Sequence, residues 1–254
     1  MESVIPLFKS HYSIGRSILT LGRADSSKPN GPDSIIDIAA EGSLKEVFIV
    51  DDGMGGFLQA SINLDEVGIA FHFGIRLVVC DDMEKKDEES LNTGSKIVIL
   101  CKTYKGYEQL IKIYSLAAKE GFYYRPRIDY KNLKKLWSKD LCLMIPFYDS
   151  FLHHNVSSYS ICVPKFSFTE PVFSLEDNNL PFDYLIKEKV LNFVKDKYET
   201  VNTQSIYYKD KKDFKSYLTF RCINNRSTLN RPNLEHMCSD TFSFENWKEQ
   251  NGTI

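Results

Sequence analysis

Short apolar runs alternate with helix-patterned stretches along most of this chain, and that alternation restricts it to few folds. The runs are Val47–Val50 (VFIV), Ile75–Cys80 (IRLVVC), Ile97–Cys101 (IVILC), Leu141–Ile145 (LCLMI), Tyr159–Val163 (YSICV), Val172–Leu175 (VFSL) and the short Ser205–Tyr208. Between them apolar residues recur at helical spacing: from Phe57 to Phe71, from Tyr104 to Ala118, from Phe182 to Tyr198 and from Phe214 to Cys222. Strands alternating with helices through short connections predict a parallel sheet, open or closed. About seven strands in 254 residues favour a closed barrel. Met83 to Gly94 is acidic and polar and reads as a mobile loop, and Asp25 to Asp33 reads as a turn-rich loop.

Charge and cysteine content narrow the setting. The formal net charge is −2, so no basic excess argues for non-specific phosphate binding. The basic run from Lys209 to Lys215 reads as a solvated helix end. Six cysteines form no C-x-x-C pair, which argues against a zinc ribbon. Several lie in the apolar runs, where a thiol packs as a small hydrophobe. The N-terminus lacks the form of a signal peptide and no run reaches the length of a membrane span. A reducing cytoplasm is the expected location, a host cytoplasm if the source is viral.

In barrels and open sheets of this kind, sites lie at the C-terminal ends of the strands. Asp51, Asp52, Asp81 and Asp82 stand there in the sequence. They read either as a carboxylate cluster, able to hold Mg or Mn through oxygen alone, or as turn and cap residues. The Asp52-Gly53-Met54-Gly55-Gly56 stretch could cradle phosphate, although it lacks the P-loop pattern. Among the histidines, His11 and His236 are isolated, His72 ends a helix-like pattern where a cation suits the dipole, and His153-His154 reads as a surface pair.

Residues 102–129, KTYKGYEQLIKIYSLAAKEGFYYRPRID, resemble the PHP (polymerase and histidinol phosphatase) domain of bacterial DNA polymerase III alpha subunits, whose run leads into EGFYYKPRID. FKSHYS at Phe8 to Ser13 is similar to that family's VHSEYS, IVDDG at Ile49 to Gly53 to its LTDHG, and GIRLVVCD at Gly74 to Asp81 to its GIKPIIGCE. YKDKKDFKSYLTFRCI and SDTFSFENWKE extend the likeness toward the end, and residues 149–171 match least. The resemblance implies an α/β fold, a distorted (βα)7 TIM-like barrel. It divides the chain into a barrel over 1–223 and a C-terminal extension over 224–254 packing on it. It also implies that the chain stops where the family's polymerase region begins, leaving no room for palm, fingers or thumb.

Active members of that family hold metal ions through histidines and carboxylates, and the ions activate water for phosphoester hydrolysis. Matched to that pattern, the opening H-x-H becomes Leu7 and Lys9. The TDHG aspartate is kept as Asp51 and its histidine becomes Asp52. Asp81 stands near the next glutamate, Lys96 replaces the following histidine, and Asn178 replaces another. The late D-x-H becomes Ser205 and Tyr207, and a further ligand falls near Phe147 or Tyr148. An ammonium group has no lone pair to offer a metal. The expectation is a metal-free, catalytically silent site, with Lys9 and Lys96 neutralising Asp51 and Asp81. The role implied is protein–protein contact in DNA replication: a subunit of a split polymerase, or a decoy such as a phage would use, with a polymerase or proofreading exonuclease subunit as partner. The alternatives are a phosphoesterase or 3′–5′ exonuclease with a remodelled Mg, Mn or Zn site, and a structural protein using the barrel as scaffold. Nucleic-acid contact is not indicated and membrane contact is not expected. The EGFYYRPRID turn reads as structural, with Gly121 capping a helix, Phe122 to Tyr124 packing it, and Arg127 and Asp129 fastening it.

Overall fold

The computed structural model describes residues 4–23, 31–157, 162, 164–230 and 239–252. Eight strands form one sheet: β1 (Ile5–Phe8), β2 (Glu46–Asp51), β3 (Ala70–Cys80), β4 (Ser95–Cys101), β5 (Arg127–Asp129), β6 (Leu141–Ile145), β7 (Val172–Leu175) and β8 (Thr200–Ile206). The order β2-β1-β8-β7-β6-β4-β3 closes on itself through β2–β3 pairing, and β5 lies outside on β3. The result is a closed seven-strand barrel surrounded by helices, the α/β barrel the sequence implied.

Not every strand is parallel. β4 runs antiparallel to both neighbours, β3 and β6. A parallel neighbour needs a crossover to the far end of the barrel. The β3–β4 connection makes none and returns at the same end. It contains only α3 (Glu88–Asn92), closed by a capping box between Asp87 and Ser90. The first residues of β4 therefore stand at the same end of the barrel as the last residues of β1 and β2, with Lys96 opposite Val78.

Helices α1 (Ile35–Glu41), α2 (Phe57–Glu66), α4 (Tyr104–Lys119), α5 (Tyr130–Leu136), α6 (Phe151–Ser157), α7 (Asp183–Val194), α8 (Phe214–Asn224) and α9 (Phe244–Asn251) complete the order. The sequence reading carries α2 on to Phe71, but it ends at Glu66. Gly68, at φ 68°, reverses the chain where a side chain would be strained, and β3 then starts at Ala70. His72, read as a helix-end cation, is a β3 residue that pairs with Glu46 at 2.9 Å. β8 likewise begins earlier than read, at Thr200.

The core lies between helices and sheet, where α4 buries Leu110, Ile113 and Ala117 at three- and four-residue spacing. A smaller cluster of Leu7, Val50, Val98 and Met144 fills the barrel interior. Residues 239–252 pack on the barrel: Phe244 lies 5.9 Å from the Phe8 ring, and Trp247 Nε1 donates to the Val4 carbonyl at 2.9 Å. The basic run is drawn into ion pairs, Lys209 with Glu41, Lys211 with Glu249 and Lys212 with Asp210. Most of the Tyr159–Val163 run, most of the Asp25 to Asp33 loop, His236 and Cys238 lie outside the described residues.

The segment read as mobile is fastened by the turn read as structural. Arg127 is fully buried and donates to the carbonyls of Gly121, Ser90, Met83 and Lys85 and to Ser90 Oγ, at 2.9–3.4 Å. Asp129 caps α5 through Asn132 N at 2.7 Å and accepts from Met83 N at 3.3 Å. Gly121 is needed because a Cβ there would sit 1.9 Å from the Arg127 carbonyl, while the α4 cap itself is Glu120. Only part of the aromatic triplet packs. Tyr123 lies under the Arg127 guanidinium at 5.3 Å, whereas Phe122 is 50% and Tyr124 78% exposed.

Candidate functional site at the barrel mouth

Strand alternation decides which side chains meet at the mouth. Successive residues of a strand point to opposite faces. Leu7 and Lys9, Val50 and Asp52, and Lys96 and Val98 are therefore paired on the inner face. Leu7, Val50, Val98, Lys9, Arg76, Ser174, Glu176 and Ser205 line an inner cavity of about 30 Å³. Above it, Lys9, Arg16, Asp52, Arg76, Lys96, Asp149 and Arg221 line a narrower crevice, with Tyr207 and Tyr217 as its aromatic wall.

Asp51, one residue before Asp52, points the other way. Its side chain is fully buried and accepts from Ser10 N at 2.8 Å, Ser10 Oγ at 2.6 Å and Ser13 Oγ at 2.8 Å. The ion pair of Lys9 is therefore with Asp52, Nζ to Oδ1 at 3.0 Å, and Asp51 acts on it only as a lesser charge. Lys96 does not reach Asp81. Its electrostatic partners are Asp52 and Asp149. Asp81 and Asp82 are exposed beyond β3 and line neither cavity. The four aspartates read as a cluster are thus dispersed.

Besides Arg16 and Arg221 at the rim, three mouth residues had no part in the sequence reading. Arg76 donates from Nη2 to the Tyr148 carbonyl at 2.7 Å and to Asp149 Oδ2 at 3.1 Å. Asp149 sits at φ 60°, a left-handed turn that Asp tolerates better than most residues, and its carbonyl accepts from Lys96 N at 2.7 Å. Glu176 is buried and accepts from Ser205 N, Ser205 Oγ and Asn178 Nδ2. A signal for Arg76 was visible, since it is the lone charge inside the apolar IRLVVC run. Asp149 directly follows the Phe147–Tyr148 pair. Glu176 directly follows the VFSL run.

The remaining positions are structural partners. Asn178 is fully buried and joins Tyr148 Oη, Glu176 and the Thr241 hydroxyl. Tyr148 donates to Asp183 Oδ1 at 2.9 Å and Phe147 is core. Tyr207 stacks between Tyr217 and Phe242. His153 is half-buried, not a surface residue: its Nδ1 accepts from Asp149 N at 2.7 Å and its ring stacks on Phe182. The glycine-rich turn has a packing reason. A Cβ at Gly56 would meet Asp51 Oδ2 at 2.9 Å and Leu21 at 3.0 Å, so the backbone is bare to let these side chains close.

Electrostatically the mouth is basic. Five of its lining residues are basic and two are acidic. Burial alone would raise the Asp52 carboxyl, but Lys9, Lys96, Arg76 and Arg16 outweigh it and hold the group well below the usual carboxylate range. Burial also opposes ionisation of Asp149, which Arg76 and Lys96 then hold low in the same way. Lys96 is pushed down to about 8, first by burial and partly by Arg76 and Arg16. Burial likewise lowers Lys9 and raises Glu176.

These residues do not fit the metal cluster that the resemblance implies. Ammonium and guanidinium groups carry no lone pair for a metal, and two of them already pair with the carboxylates of the mouth. Among the described residues no group of three or more His, Cys, Asp or Glu side chains is placed to hold an ion. No helix among them is long and apolar enough to cross a membrane.

Comparison with known proteins agrees with the barrel. Residues 29–153 match the PHP domain. DNA polymerase III subunit alpha of Aquifex aeolicus is 29% identical over 161 residues, which is 59% of this chain and 14% of that protein. The same subunit of Borreliella burgdorferi is 28% identical over 125 residues, 47% of this chain and 11% of the relative. That of Chlamydia pneumoniae is 44% identical over 61 residues, 24% of this chain and 5% of the relative. The chain therefore spans at most about a seventh of the length of these relatives. With a closed seven-strand barrel around the matched segment, this chain carries a PHP domain related to that of DNA polymerase III alpha subunits.

Proposed function

We propose that this chain is a metal-free, catalytically silent PHP barrel that acts in DNA replication through protein contact. The observation that carries the reading is the pair of ion pairs across the mouth, Lys9 with Asp52 and Arg76 with Asp149. They use up the carboxylates that a cation would need and leave basic groups facing where it would sit. An ion-paired mouth closes the metal-assisted route to water activation. It leaves the barrel as a folded surface for another protein.

Replication is supported by the relatives, whose name is DNA polymerase III subunit alpha. The proposed partner is a polymerase or proofreading exonuclease subunit in the cytoplasm, met either as part of a split polymerase or in competition with one. The first test is elemental analysis of protein grown with Zn, Mn and Fe. The reading expects substoichiometric metal and no Mn-dependent hydrolysis of an aryl phosphate or single-stranded DNA. Stoichiometric metal that Asp52→Ala removes would replace it with the phosphoesterase reading. The second test mixes the chain with purified polymerase and exonuclease subunits. Binding to neither at saturating concentration sinks the partner assignment.

A further inference from the structure

Among the described residues, the lining of the barrel mouth is not neutral. It carries a surplus of three positive charges, or two with the deeper Glu176 counted as ionised, in a chain whose formal net charge is −2. The surplus is also short of acceptors. Lys96 Nζ makes no hydrogen bond among the described residues, although the residue is half-buried. Arg76 Nε is buried with no acceptor among them. Arg16 reaches Asp52 only at 4.0 Å. A buried donor without an acceptor loses its solvation with nothing in return. Clustered like charges add to that cost. The depressed Lys96 ammonium is the expected symptom.

Unsatisfied donors on one lysine and two arginines converge on the same opening. Guanidinium and ammonium groups so arranged match the several acceptor oxygens of a phosphate. We propose that the barrel mouth binds a phosphate group through Lys96, Arg76 and Arg16, without a metal ion. The crevice measures about 10 Å³, room for about one water molecule. One phosphate oxygen enters it beside Lys96 and Arg76. The rest of the group stays at the rim, where the Arg16 side chain is 42% exposed and free to close over it. Asp52 and Asp149 limit affinity, since each already neutralises part of the basic lining.

The inference rests on the metal-free reading above. Calorimetric titration of the full chain in chloride buffer, with inorganic phosphate and separately with a 5′-mononucleotide, tests it. Saturable binding is expected at about 1 mM or tighter, unchanged by EDTA. Lys96→Gln should weaken it about 10-fold, Arg16→Gln less, and Asp52→Asn should tighten it. Arg16 is a rim residue, so its variant keeps the test open if the Lys96 variant fails to fold. Equal affinities assign the site to the free anion; tighter binding of the nucleotide assigns it to a nucleic-acid phosphate. Lack of saturation by about 10 mM, or affinity unchanged in both lysine and arginine variants, overturns the inference. Protein that carries no metal and binds no phosphate overturns this inference alone. Binding that EDTA abolishes and Mn restores overturns both readings.

Discussion

Two arginines, Arg76 on β3 and Arg127 on the adjoining β5, meet opposite surroundings. Arg127 is fully buried, yet five hydrogen bonds from its guanidinium end on carbonyls and a hydroxyl, and a tyrosine ring covers its face. Arg76 makes two hydrogen bonds from one nitrogen, leaves Nε bare, and shares the crevice with Lys9 and Lys96. Arg76 is nearly as enclosed, its side chain 12% exposed, so burial does not separate a fastening from a site. What separates them is whether the donors are used and whether the neighbours carry the same sign. Arg127 holds the β3–β4 connection to the turn after α4. Arg76 holds charge near an opening.

The sharpest way to break this contrast is at Arg127. Arg127→Met removes all of that residue's own bonds to the 83–90 segment and strands its carbonyls; the expected loss is about 4 kcal/mol, read by denaturant unfolding. Amide exchange should show the segment opening well below the global unfolding free energy. At the mouth the same kind of change should cost less. Lys9→Met leaves Asp52 facing Lys96, Arg76 and Arg16, which still hold it, so a loss of about 2 kcal/mol is expected. The double variant Lys9→Met/Asp52→Leu should recover part of it; a double variant worse than the sum would show that the pair is no simple ion pair.

The pH dependence of Lys96 is smaller. Its ordinary value is 10.5 and the folded value about 8. Below about pH 8 both states carry the proton, and the folded state bears the full penalty. Between about 8 and 10.5 the unfolded chain binds more protons, so stability should rise with pH. Against Lys96→Met the wild type should gain about 1–2 kcal/mol over that window after allowance for partial exposure. Phosphate should shrink this gain, because it favours the charged form. Smallest of all is Tyr124, which is 78% exposed at φ 58°. Tyr124→Gly should shift stability by about 0.5 kcal/mol or less, measured by thermal unfolding. A large loss would mean the exposed aromatic has a role in the turn.

Much of the barrel was legible because strands buried on both faces read as unbroken apolar runs, as VFIV, IVILC and LCLMI do. β1 was hidden by brevity and by Pro6 at its second position. The start of β3 was hidden because Phe71 and Phe73 continue the apolar spacing of α2 across Gly68. At the site, replacement of the histidines was readable position by position, but partners were not. Lys9 pairs with Asp52 because the two share an inner face, and Asp51 is excluded by the same alternation. Asp149 escaped because its place depends on a turn in the poorly matched middle of the chain. Arg76 was visible as a misfit and lacked only a reason.

The reversed direction of β4 adds one of the five basic groups of the mouth. Lys96 reaches it from the beginning of a strand, held in register by two antiparallel neighbours. A slip of one residue in that strand would exchange faces along its length. It would turn Lys96 outward and bring Ser95 or Ile97 to the opening. What the barrel presents at its opening is therefore written in the pairing of β4 with β3 and β6 as much as in the identity of Lys96.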